Sequence, residues 1–168
     1  NVYKKSYGKY SHGDIKKKFE KTNSIKSKNS TNFYRCKIIN SNKNLKYKKK
    51  ILLDIGAGFG IFAYKMKQKG WSTDVIEIDP NLKRFLREEL KLNVIKENFL
   101  KHNFNKSYSL ITFNKVLEHF DLNECKKTLN KAKKVMSNNG CIYLEVPDGL
   151  NAHKNSLNRQ EFFFEHKN

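Results

Sequence analysis

Leu53-Asp54-Ile55-Gly56-Ala57-Gly58-Phe59-Gly60 sets an acid and three alternating glycines at the point where an apolar strand gives way to a helix. Upstream, Ile51, Leu52 and Leu53 form the short continuous apolar run of a strand buried on both faces. Downstream, Ile61, Phe62 and Met66 recur at helical spacing, and the pattern halts near Gly70, a residue suited to a left-handed helix end. Glycine at 56, 58 and 60 lets the backbone bend sharply and removes the Cβ atoms that would hold a ligand away from the amides at the helix start. The stretch predicts a loop that seats a nucleotide-type cofactor. A dinucleotide fingerprint, G-x-G-x-x-G, would need glycine at 61, where the chain has Ile61.

A second strand is expected over Thr73 to Ile78, rich in β-branched residues and ending in Asp79-Pro80, 23 positions after Gly56. An acid about twenty residues beyond a glycine loop sits at the tip of the neighbouring strand, where it can accept from both ribose hydroxyls. Asp79 fits that part and also suits the N-cap of a helix opening near Asn81, and the two roles can coexist. Leu82, Phe85, Leu86 and Leu90 then fall on one helical face, and Asn93 to Ile95 reads as a short third strand. Asp121 with Glu124 forms a capping box, followed by Leu122, Cys125, Leu129, Ala132 and Met136 at 3,4,3,4 spacing. Strands alternating with helices predict a doubly wound α/β protein with a mostly parallel sheet and right-handed crossovers. Ligands in such sheets gather at the carboxyl ends of the strands, where the glycine loop, Asp79, Asn98, Asn114 and Pro147 all fall.

The order D-x-G-x-G-x-G resembles motif I of the class I S-adenosylmethionine-dependent methyltransferases. Tyr108-Ser109-Leu110-Ile111-Thr112-Phe113-Asn114-Lys115-Val116-Leu117-Glu118-His119-Phe120 is similar to that family's fourth strand and its Val-Leu-Glu-His turn, with Ser109 in place of the usual Asp. Met136 to Pro147 resembles its helix exit, glycine turn at Gly140 and fifth strand. The likeness covers about residues 50 to 150 and implies a Rossmann-like sheet in methyltransferase order, with S-adenosyl-L-methionine as cofactor. It implies that Gly56, Ala57, Gly58 and Gly60 seat the cofactor, that Asp54 orders the loop, and that Asp79 followed by Pro80 takes the ribose. Glu77, where the family usually has a small residue, belongs to the same cofactor region. Asn98 with Phe99 matches the adenine position, and Asn114 faces the methionine end or the methyl. His119 and His166 are candidate bases, because an imidazole titrates near neutrality. No metal site is implied.

Charge is uneven. Residues 1 to 50 hold 16 Lys and Arg against Asp14 and Glu20, so +14 of the net +19 lies there. This marks 1–49 as a basic, partly helical arm or cap, with segments Gly13 to Lys28 and Thr31 to Asn40 expected to shape a pocket ahead of the 50–150 domain. Interleaved aromatics in the arm leave RNA as an alternative partner, although overused Lys and Asn also mark solvated surface. Residues 151–168, with Phe162-Phe163-Phe164 before His166, resemble an aromatic lid, and no sequence for the family's final antiparallel hairpin follows. With Asn as the first residue, a fragment or a trimmed start is expected. Three widely spaced cysteines predict neither a disulfide framework nor a zinc site and suit a reducing cytoplasm. No apolar run approaches the ~20 residues of a membrane span.

The fourth strand's end lacks the Pro-Pro-aromatic run of amino-methylating enzymes of DNA, and no Pro-Cys pair is present for attack on cytosine carbon. The resemblance therefore implies methyl transfer to O, C or N of a small molecule or saccharide. RNA methylation and a non-catalytic cofactor-binding fragment are the alternatives, and a nicotinamide oxidoreductase is disfavoured by Ile61.

Overall fold

The computed structural model describes residues 10–25, 29–41 and 49–147. Helices α1 (His12–Asn23) and α2 (Thr31–Ser41) precede β1 (Ile51–Ile55), α3 (Ile61–Gln68), β2 (Ser72–Ile76), α4 (Pro80–Glu88) and β3 (Asn93–Ile95). β4 (Tyr108–Asn114), a 3-10 turn at Leu117–His119, α5 (Leu122–Val135) and β5 (Met136–Glu145) follow. The strands lie in the order β3-β2-β1-β4-β5, and every pairing is parallel. The order reverses between β1 and β4, so their carboxyl ends flank the crevice where doubly wound sheets bind ligands. Among the described residues no strand pairs with the outer side of β5.

Strand alternation divides the core. Leu53 and Ile55 turn toward Ile111, Phe113 and Ala132 of α5, whereas Leu52 and Leu110 turn toward Cys36 and Ile39 of α2 and Met66 of α3. α1 covers α3 and α4: Ile15 and Phe19 are buried, and the Phe19 ring lies 5.5 Å from those of Tyr64 and Phe85. The described part of residues 1–49 thus adds two helices to the same core. Toward the amino ends of the strands, buried Asp74 accepts from Tyr108 Oη at 2.7 Å and Asn93 Nδ2 at 2.8 Å, which ties β2, β3 and β4 together.

Helix ends follow local chemistry. Asp121 and Glu124 form the expected capping box, and Ser11 with Asp14 forms another at α1. Two boundaries differ from expectation. β2 ends at Ile76 rather than Ile78, because the Glu77 carboxylate takes the N–H groups of Ile78 and Asp79 that would otherwise extend the ladder. β5 starts at Met136, directly after α5, instead of after a turn at Gly140. Met136 pairs with Tyr108 and Cys141 with Leu110, so surplus residues of β5 form a bulge. A Cβ on Gly140 would stand 2.9 Å from Tyr108 O, which explains glycine within that bulge.

The glycine loop is tied into the core at Gly60. Its φ is +72°, and a Cβ there would lie 2.2 Å from Leu86 Cδ2 on α4. Gly60→Ala is therefore expected to lose about 2 kcal/mol from combined backbone strain and crowding. Gly58 has φ +54°, and a Cβ added there would meet nothing within 4 Å, so Gly58→Ala should lose only about 1 kcal/mol, read by urea denaturation.

Candidate cofactor and active site

Asp54 is the charged floor of the crevice. Parallel register sets it against Thr112, and both side chains are almost fully buried. Thr112 Oγ1 donates to Asp54 Oδ1 at 2.6 Å, and Asn114 Nδ2, two residues further along the same strand face, donates to that oxygen at 3.0 Å. Burial pushes the Asp54 carboxyl up to about 7, against the opposing pull of these two donors and of Arg35. Asn114 Oδ1 is buried and has no hydrogen-bond partner among the described residues. A buried acceptor in that condition costs free energy until a donor meets it.

The loop spends its amides inside the protein. Gly56 N–H and Ala57 N–H donate to Ile76 O, Gly60 N–H donates to Ala57 O, and Gly58 N–H donates to Glu77 Oε2 at 2.7 Å. The amides of Gly56, Ala57 and Gly58 fasten the loop to the end of β2 and to Glu77, and that of Gly60 closes a turn within the loop. A pyrophosphate clamp needs such donors free, so the loop is built for a ligand that lies against it. The open side of Gly58 provides room for one.

Two acids leave β2 with different duties. Asp79 Oδ1 accepts from Asn81 N–H at 2.8 Å and Leu82 N–H at 3.1 Å, which makes it the N-cap of α4, with Pro80 at the first helical position. Glu77 instead bridges to the loop, with Oε2 on Gly58 and Oε1 on Ile78 and Asp79 N–H. Glu77 is the acid in contact with the glycine loop.

A cleft of about 320 Å³ opens above this floor, bounded by the loop, Asp54, Asn114 and Lys115 below and by Thr31, Asn32 and Arg35 of α2 above. Arg35 clasps Glu145 at the end of β5: Nε donates to Oε2 at 2.6 Å, Nη2 donates to Oε1, and Nη1 reaches Asn32 Oδ1 at 2.9 Å. Hydrogen bonding from Arg35 holds the Glu145 carboxyl below its ordinary range. This bidentate pair locks α2 over the cleft. Arg35, Thr112, Glu145 and Lys115 were not identified from sequence. Arg35 carried one signal, as the only arginine among the 16 basic residues of positions 1 to 50, where bidentate geometry would demand Arg.

Asn98, Phe99 and His119, like Glu77 and Asp79, are not among the residues that line this cleft. Phe99 is buried, packing on Phe104 and Phe113 at centroid distances of 5.6 and 6.2 Å. Asn98 is exposed, and its Oδ1 turns back to Leu100 N–H. His119 ends the 3-10 turn with its N–H on Val116 O. His166 and the segment 151–168 lie outside the described residues. Among the described residues no cluster of metal-ligating side chains occurs, and no helix is long and apolar enough to cross a membrane.

The fold and crevice define the class I S-adenosylmethionine-dependent methyltransferases. Residues 33–167 match the family model of a methyltransferase domain, and the chain belongs to that family. No protein of curated function matches the sequence. Among solved structures, DesVI of Streptomyces venezuelae superposes with a TM-score of 0.65 at 13% identity over 82% of this chain and 58% of that one. CalS10, an amino pentose methyltransferase from Micromonospora echinaspora solved with its methyl donor bound, gives 0.63 at 12% identity over 74% and 55%. The glycopeptide N-methyltransferase MtfA, complexed with S-adenosyl-L-methionine, gives 0.53 at 12% identity over 59% and 47%. The chain spans about half the length of these structures. At such identities the likeness shows the shared fold.

Proposed function

We propose that the chain holds S-adenosyl-L-methionine in the cleft above the glycine loop for methyl transfer to O, C or N of a small molecule or saccharide. The observation that carries this reading is the loop whose amides at 56, 57, 58 and 60 are all consumed internally while the side of Gly58 stays open. Such a loop suits a nucleoside with an amino-acid tail and not a pyrophosphate. The ammonium of that tail would supply the donor that buried Asn114 Oδ1 lacks, beside the Asp54 carboxyl. Glu77 would take a ribose hydroxyl, with Asp79 left to cap α4. That CalS10, an amino pentose methyltransferase, shares this fold supports the saccharide class.

The cofactor supplies an electrophilic sulfonium methyl. The chain's own residues orient the reactants and exclude water: Asp54, Thr112 and Asn114 fix the floor, and α2, clasped through Arg35 and Glu145, forms the roof. A hydroxyl acceptor also needs proton removal, for which His119 and His166 are the candidates. His119→Ala or His166→Ala with retained cofactor binding and lost turnover would assign the base.

Thermal unfolding with S-adenosylhomocysteine and, separately, NADH tests the cofactor. A ligand at a hundredfold excess over Kd stabilises by about 2.7 kcal/mol, and only S-adenosylhomocysteine is expected to do so. Stabilisation by NADH instead would overturn the reading.

A further inference from the structure

Among the described residues that line the cleft, one charged side chain has neither an ion pair nor a side-chain hydrogen bond, although its charge helps hold the Glu145 carboxyl down. Arg35 is bound by Glu145 and Asn32, and Asp54 by Thr112 and Asn114. Lys115 lines the same cleft, is exposed, and makes no ion pair or side-chain hydrogen bond with the described residues. Its backbone is also unusual. Only Lys91 and Lys115 among described non-glycine residues have positive φ. Lys91 follows the end of α4, where a left-handed residue is ordinary, but Lys115 follows a strand with φ +58° while its N–H donates to Glu145 O at 2.8 Å. Glycine would take that conformation without strain, so the turn alone does not call for a lysine.

Position separates this cation from the cofactor's floor. Asp54 is buried and Asn114 half-buried, whereas Lys115 is exposed. Arg35 and Lys115 both act on the single Glu145 carboxylate, so these three groups sum to a net positive charge on this side of the cleft, which attracts anions and repels cationic acceptors. We propose that Lys115 determines acceptor specificity, binding the carboxylate or phosphate of an anionic saccharide at the cleft mouth. The proposal rests on the methyltransferase reading of the cleft.

The test uses the full chain loaded with S-adenosylhomocysteine and titrated calorimetrically with glucose 1-phosphate, glucuronate and neutral glucose. At least one anionic sugar is expected to bind on the order of tenfold more tightly than glucose. The preference should vanish in Lys115→Ala, persist in Lys115→Arg, and vanish in Lys115→Gly even though that variant melts at a temperature no lower than wild type. Phosphate and carboxylate arms report which anion is preferred. Equal binding of all three sugars, or a preference that survives Lys115→Gly, would overturn the proposal. A tenfold loss of S-adenosylhomocysteine affinity in Lys115→Ala would also overturn it by assigning the lysine to the cofactor. Failure of wild type to bind S-adenosylhomocysteine would sink the cofactor reading first, and this proposal with it.

Discussion

Glu77→Ala is expected to weaken S-adenosylhomocysteine binding about 100-fold, close to 3 kcal/mol, while Asp79→Ala leaves affinity within about fivefold of wild type. The contrast comes from where each carboxylate is held: Glu77 against the glycine loop, Asp79 at the start of α4. Asp79 spends Oδ1 on two amides of α4, so its removal should appear as lost stability of about 1 kcal/mol, typical of a vanished N-cap. Glu77 binds the N–H of Gly58, the loop residue whose Cβ side is open. Three of the roughly four acceptor sites of its carboxylate already take the N–H groups of Gly58, Ile78 and Asp79, which fixes it against the loop and leaves one site for a hydroxyl, and charged acceptors make the stronger bonds. Glu77→Gln keeps one acceptor oxygen without the charge and should fall between the two, near tenfold. Calorimetry with urea denaturation on the same samples separates binding from folding. Should Asp79→Ala abolish binding while Glu77→Ala does not, the ribose would belong to Asp79, as its position along the chain suggests.

The division of contacts between Glu77 and Asp79 shows where sequence reading stops. The apolar run at 51–53, the glycine triplet and the 3,4 spacings decide the alternation of strands and helices, and from these local signals the parallel sheet follows. The capping box at Asp121 and the left-handed Gly70 are equally local. Choosing between Glu77 and Asp79 is not, because it depends on which carboxylate meets Gly58, a contact between segments 19 residues apart. Arg35 and Glu145 stand 110 residues apart, beyond the reach of any spacing rule. Phe99 next to Asn98 reads in sequence as a ring beside adenine, yet packing with Phe104 and Phe113 places it in the core. The bulge in β5 is hidden for a related reason: Gly140 signals a backbone requirement, and glycine in a turn reads the same as glycine pressed against Tyr108 O.

Asp54→Asn should flatten the dependence of stability on pH. In the wild type the Asp54 carboxyl is pushed by burial from 3.8 to about 7. Between those values the folded protein keeps a proton that the unfolded chain has released, so stability falls as pH rises through this window and levels off above it. The full effect is on the order of 4 kcal/mol as an upper limit, reduced by whatever relaxation the site allows. Glu145 acts in the opposite sense and at lower pH: its carboxyl is held below 4.5, and its contribution disappears only as pH drops through that lowered value. Every other ionisable group is common to both proteins, so the informative quantity is the difference between wild type and Asp54→Asn, measured by urea denaturation from pH 4.5 to 8. Asparagine retains an acceptor for Thr112, and the variant is expected to equal or exceed wild type above pH 7. The same carboxyl links folding to the proposed ligand. An ammonium or sulfonium near Asp54 favours its ionised form, so S-adenosyl-L-methionine binding near pH 6.5 should release a proton that Asp54→Asn does not release. Calorimetry in buffers of different ionisation enthalpy counts that proton. Parallel stability profiles for the two proteins would mean that Arg35 and the hydrogen bonds from Thr112 and Asn114 already keep Asp54 ionised, and proton release would then be absent in both.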